Sequence, residues 1–141
     1  MDSGELKTRC LGWPGASEEF PFGDEVSVFK VGGKMFALAN LDGDGRAVIS
    51  YAAGPERYSE LLEMEGVIPA PYMARIFWVA VERWDVFRWA EWEQELTAAH
   101  AITFAKMPPK TRTVLAMPAK EQKRLIRERK ALLAERAAAK R

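Results

Sequence analysis

Apolar and polar positions change their spacing several times along the chain, and each change marks an element. Leu6, Cys10 and Leu11 fall on one helical face behind Ser3, which is suited to cap a helix, and Pro14-Gly15 stops it. A polar, aromatic loop is expected through Glu18-Glu19-Phe20-Pro21-Phe22-Gly23. Val26–Val31 and Lys34–Asn40 are β-rich runs separated by Gly32-Gly33, the pair that a tight hairpin turn favours. That spacing sets Phe29 opposite Phe36 and Ser27 opposite Leu38. The side carrying Phe29, Phe36 and Leu38 has more apolar bulk and is expected to face the core.

Asp42-Gly43-Asp44-Gly45 then turns the chain into a third strand at about 46–51. Pro55 opens a short helix with Tyr58, Leu61 and Leu62 on one face and Gly66 as its C-cap. Residues 67–71 are extended, and residues 75–82 read as a further strand. Asp85 is placed to cap a long helix in which Trp89, Trp92, Leu96, Ala99 and Thr103 recur at three- and four-residue steps, ended by Pro108-Pro109. An irregular stretch, 111–118, precedes a second helical segment from Ala119 to about Ala138. The order predicts an α+β fold: a two-layer α/β sandwich with an antiparallel sheet of about five strands and helices on one face, plus a C-terminal helical tail. Residues 1–112 are expected to form the domain, and residues 113–141 a linker and basic helical tail. Phe29, Phe36, Leu38, Leu61, Trp89, Trp92 and Leu96 are the expected core.

Composition agrees with one folded domain. Hydrophobic residues make up 48% of the 141 positions, enough to bury a core without disulfides or metals. Cys10 and His100 stand alone in their types, so His/Cys metal clusters are ruled out by number. No apolar run is long enough for a membrane span, and the first residues lack the order of a signal peptide, so a cytoplasmic location is expected. The net charge of +1 conceals a division. Residues 119–141 hold nine Lys/Arg against three Glu, a net +6, which leaves −5 on residues 1–118.

Three blocks carry a family resemblance: Cys10-Leu11-Gly12-Trp13-Pro14-Gly15, Glu18-Glu19-Phe20-Pro21-Phe22-Gly23, and Val28 through Leu38. In that order they resemble the MmcQ/YjbR family of small bacterial proteins, over roughly residues 5–112. The resemblance implies a compact α/β sandwich of the secretion-chaperone or frataxin-like kind. Members are commonly labelled DNA-binding, because their paired hairpins suggest a double-wing surface. Near Trp78 many members carry a polar stretch with two histidines and two asparagines. Here the aligned positions are Tyr72, Met73, Ala74, Arg75, Phe77, Trp78, Val79, Ala80 and Val81, and of the polar set Arg75 is kept.

Among candidate chemistries, Asp42-x-Asp44-Gly45 lacks the later ligands of a calcium loop, since Arg46 and Ala53 occupy the fifth and twelfth positions. Glu18-Glu19 and Asp24-Glu25 form an acidic rim in a loop, which reads as solvated surface. Trp78, Trp84, Trp89 and Trp92 have a spacing that suits core packing before base stacking. Neither a nucleophile–base arrangement nor a phosphate-cradling glycine loop is present in the sequence, so no catalytic residue, metal or cofactor is expected. Lys30, Lys34, Arg46 and Arg75 are candidates for a positive strip across the hairpins, joined by Lys123, Arg124, Arg127 and Lys130 of the tail. Leu125/Leu132 and Ile126/Leu133 repeat at seven-residue intervals and make a narrow apolar seam. The expected function is a non-enzymatic domain that contacts DNA through phosphates. The alternative is a protein-interaction module that holds its partner through the sheet or the C-terminal helix.

Overall fold

The computed structural model describes residues 1–41, 47–117 and 119–139. Helix α1 (Ser3–Leu11) leads into strands β1 (Ala16–Glu19), β2 (Val26–Val31), β3 (Lys34–Asn40) and β4 (Ile49–Ala52). Helix α2 (Pro55–Leu61), strands β5 (Val67–Pro69) and β6 (Trp78–Val81), and helices α3 (Trp89–Ala105), α4 (Pro109–Leu115) and α5 (Ala119–Ala139) follow. The six strands form one antiparallel sheet in the order β1-β2-β3-β4-β6-β5. The fold is α+β, with a C-terminal helix, as the patterning predicts.

Several local expectations are corrected. Asp2, not Ser3, caps α1, its carboxylate accepting from the Glu5 N–H at 2.8 Å. The stretch read as a loop begins as strand β1, which raises the sheet from about five strands to six. Ala-Ser-Glu-Glu has no apolar alternation to announce a strand, and charge is what an edge strand carries to avoid pairing with other chains. Helix α2 ends with Leu62 as its C-cap, and Gly66 lies in the turn entering β5. Arg75 falls in a single 3-10 turn, Ala74–Ile76, so β6 is shorter than the expected strand. Asp85 belongs to another 3-10 turn, Trp84–Val86, and pairs with Arg83 at 3.1 Å. The N-cap of α3 is Arg88, whose N–H donates to Glu91 at 3.1 Å. The expected turn at 42–45 and the first residue of the expected third strand, Arg46, lie outside the described residues.

The hairpin register differs by one residue. Val31 pairs with Lys34 and Lys30 with Met35, then a bulge shifts the ladder so that Phe29 pairs with Ala37 and Val28 with Leu38. The extra residue is Phe36. A bulge lets two successive side chains lean the same way, and Phe36 enters the core, edge-on to Trp13 at 5.8 Å and to His100 at 5.5 Å.

Register then defines the two faces of the sheet. Phe29, Ala37, Tyr51 and Val79 form one cross-strand row, and Tyr51 bonds to Glu95 on α3, so this row faces the helices. Val28, Leu38, Ser50, Ala80 and Ile68 form the neighbouring row on the other face. Leu38 therefore lies away from the helical core, contrary to expectation, although it is largely buried. On α3, Trp92, Leu96 and Ala99 are fully buried, whereas Trp89 is 49% exposed and drops out of the expected core. It is the first residue of α3, nearly a full turn before Trp92 and at the open end of the apolar stripe.

Helix α4 occupies the stretch expected to be irregular. Pro109 opens it, and Leu115 packs where a side chain on Gly15 or Gly32 would stand: a Cβ on Gly15 would lie 2.2 Å from Leu115 Cδ2. Both glycines have positive φ, 76° and 57°, so backbone and space alike demand glycine there. Gln122 then donates to the carbonyls of Leu115 and Met117 at 3.2 and 2.7 Å, fastening the first turn of α5 to α4.

Candidate binding cleft on the open sheet face

The face of the sheet away from α1 and α3 carries a cleft of about 640 Å³. Val26, Met35, Leu38, Asn40 and Ser50 form its floor, Met35 and Leu38 brought to the same face by the bulge at Phe36, together with Ala47 from the segment before β4. Phe22, from the turn between β1 and β2, makes one wall, and Pro71-Tyr72-Met73 the other. None of these side chains is charged. The polar side-chain groups are the Ser50 and Tyr72 hydroxyls and the Asn40 amide, which donates to the Ala47 carbonyl at 2.7 Å.

The second wall is a strained segment. Tyr72 and Phe77 both hold left-handed backbone, with φ of 66° and 62°, at non-glycine positions where that conformation costs on the order of 1–3 kcal/mol. Neighbouring hydrogen bonds hold the segment. The Phe77 carbonyl accepts from the N–H groups of Ala53 and Gly54, and the Trp78 N–H donates to Met73. The Phe77 ring lies 5.7 Å from Tyr58 of α2. Tyr72 projects fully into solvent, and Phe22 is 62% exposed, so two aromatic rings stand uncovered on either side of an apolar floor.

The cationic residues expected to form a strip are placed differently. Lys30 is on the open face, ion-paired to Glu19 at 2.6 Å. Lys34 pairs opposite Val31, so by alternation it points to the other side of the hairpin from Lys30. Arg75 is exposed on its 3-10 turn beyond the cleft wall, and Arg46 lies outside the described residues. The hairpins thus bring no two of the described candidates together. On α5, Lys123, Arg127 and Lys130 follow at helical steps and share one exposed stripe. Arg124 is held between Glu121 and Glu128, at 2.7 and 3.5 Å.

Two polar clusters escaped sequence reading. Glu95 is 3% exposed and accepts from Tyr51 Oη at 2.9 Å and from Arg57. Burial, together with the Glu95 charge, pushes the Tyr51 phenol well above the usual tyrosine range. The available signal was a carboxylate on the same α3 stripe as Trp92, Leu96 and Ala99. The second cluster centres on His100, stacked on Trp13 at 4.5 Å with its Nε2 buried and unbonded. Burial and then the Arg9 charge lower its pKa. Arg9 in turn lies 4.0 Å over the Trp13 ring and pairs with Glu93 at 2.7 Å. Cys10 is buried, and its thiol is pushed up to about 12, so it is an inert core residue. Among the described residues no group of His, Cys, Asp and Glu is arranged to hold a metal, and no helix is long and apolar enough to cross a membrane.

The sheet, the helices on one of its faces and the cleft on the other define a class of small α+β domains with an open antiparallel sheet. The model of the YjbR family matches residues 11–102, and the chain belongs to that family. It is similar to the crystal structure of Deinococcus radiodurans protein DR2400, described as a DUF419 domain, at 26% identity and a TM-score of 0.73. That similarity covers 84% of this chain and 90% of the other. No curated protein matches the chain.

Proposed function

We propose that the protein is a non-enzymatic binding module whose open-face cleft holds an apolar segment of a protein partner. One observation carries the reading: an uncharged cleft of about 640 Å³, large enough for a few buried side chains, is bordered by the exposed rings of Phe22 and Tyr72. Exposed aromatics beside an apolar floor are the composition of an interface centre. The strained backbone at Tyr72 and Phe77 favours the same conclusion, because such strain concentrates at ligand clamps. A selection from a peptide library tests it. Apolar peptides should bind the wild-type chain and lose about tenfold or more in affinity to Val26→Arg. Enriched peptides that bind this variant undiminished would remove the cleft from the reading.

A second reading, DNA binding through phosphates, is favoured by the exposed stripe of Lys123, Arg127 and Lys130. It places the nucleic-acid surface on α5, because on the hairpins Lys30 is already neutralised by Glu19.

A further inference from the structure

Most apolar side chains of α5 are left uncovered by their own domain; only the first of them, Leu125 and Ile126, line a groove against Val114 and Leu115 of α4. Gln122 anchors the first turn, but from Lys123 to Ala139 every described side chain is exposed except the half-buried Leu125. Ile126, Leu132 and Leu133 are 51, 40 and 48% exposed. A helix of this length without tertiary packing is marginal in water, so its persistence calls for a surface to lie on.

We infer that this surface is the open-face cleft of a second copy of the chain, into which α5 seats its Leu132/Leu133 end while receiving the partner's helix in return. The inference rests on the reading of the cleft as a site for an apolar segment, and names its occupant. Three observations converge on it. The first is apolar complementarity, an uncovered leucine pair and an uncovered cleft on the same chain. The second is charge. The tail carries +6 and the remainder −5. Asp24 lies in the chain between the cleft residues Phe22 and Val26, while Arg129, Lys130 and Arg136 flank the leucines. The third is reach. Leu115 fixes α4 at the Gly32 end of the hairpin, and Val26 and Asn40 lie at its opposite end. Helix α5, roughly 30 Å long, leaves its Leu132 and Leu133 exposed and puts no described side chain into the cleft of its own sheet, whereas a neighbour's cleft is open to it. Because each copy offers one helix and one cleft, a two-fold exchange satisfies both and closes the assembly.

The mass of the full chain in sedimentation velocity, over about a hundredfold range of concentration, tests this. A reversible dimer is expected. Leu132→Glu with Leu133→Glu, and separately Val26→Arg, should each weaken it by about tenfold or more, while circular dichroism stays native. Mixing the two variants should restore a heterodimer, since one supplies the intact cleft and the other the intact helix. A dimer that survives Val26→Arg but not the leucine changes would overturn the inference in favour of helix-to-helix pairing. A chain that stays monomeric while an environment-sensitive apolar dye still binds, and is blocked by Val26→Arg, would sink the inference and leave the cleft reading standing. A monomer whose cleft takes up no dye would sink both.

Discussion

Tyr51 donates its phenol hydrogen to Glu95 at 2.9 Å, joining the middle of the sheet to the buried stripe of α3. Glu95 also receives Arg57 of α2, so one carboxylate ties three elements together. Removing it strands a buried hydroxyl and releases a cation. Glu95→Ala should cost about 2–3 kcal/mol in urea denaturation, because it leaves the Tyr51 hydroxyl buried without a partner while the partly exposed Arg57 can turn to water, and Tyr51→Phe only about 1–2 kcal/mol, since it leaves the ion pair intact. The folded-state phenol has its pKa raised by burial and by the Glu95 charge. The unfolded chain then loses this proton first, and stability falls as pH rises above about 10. Tyr51→Phe should remove that part of the alkaline slope. Equal slopes in the two proteins would mean that the phenol is not held as described.

His100 produces a dependence at the acid end. Its folded pKa is lowered by burial and by Arg9, so between that value and 6.5 the unfolded chain binds more protons. Stability is therefore full above pH 6.5 and declines as pH falls through the folded value. The charges beside it are Arg9 of α1 and, through Arg9, Glu93 of α3. Melting temperature against pH should show a steeper decline below 6.5 for the wild type than for His100→Phe, which retains the stacking on Trp13 without a titrating group. Parallel curves would place the histidine in water.

Leu115 tests how far the folded body extends. It is the residue of α4 that fills the space above Gly15 and Gly32, and it is largely buried. Leu115→Ala should cost about 2–4 kcal/mol, the range for truncating a packed leucine. Gly15→Ala should also destabilise, because its φ is positive and Leu115 stands in the way. A near-neutral Leu115→Ala would show that the body is complete without α4.

Legibility in the sequence followed periodicity. The β2–β3 hairpin, α3 and α5 were readable because each repeats its pattern over several turns or alternations. Strand β1 was not, since an alanine, a serine and two glutamates on a sheet edge carry no apolar alternation. The bulge at Phe36 was not either, because an inserted residue leaves composition unchanged while reversing every later face, and so Leu38 was assigned to the wrong side. The cleft followed that error. Its floor is Leu38, Met35, Val26 and Ser50, side chains that look like an unremarkable half-buried sheet face until register places them together. The hairpin cations were visible as residues but not as pairs, because the proximity of Lys30 to Glu19 depends on the unforeseen strand.

The tail provides the sharpest separation between stability and binding. Helix α5 is held to the body by Gln122, whose two hydrogen bonds to α4 contribute about 1–2 kcal/mol, and its remaining side chains are almost all exposed. Deleting residues 119–141 should therefore leave the domain folded, with a melting temperature within a few degrees of the full chain. The same deletion removes the stripe of Lys123, Arg127 and Lys130, and with it the largest concentration of positive charge. If the chain binds DNA, affinity should fall with salt at a slope of about −0.9 per phosphate contact, so replacing these three residues by glutamine should flatten the slope by roughly three units. Replacing Lys30, Lys34 and Arg75 should change it by less, because Lys30 is occupied by Glu19 and Lys34 points away from it. Fluorescence anisotropy with a short duplex at several salt concentrations reads both variants. A slope that responds to the hairpin residues and ignores the tail would return the nucleic-acid surface to the sheet and leave α5 free for another role.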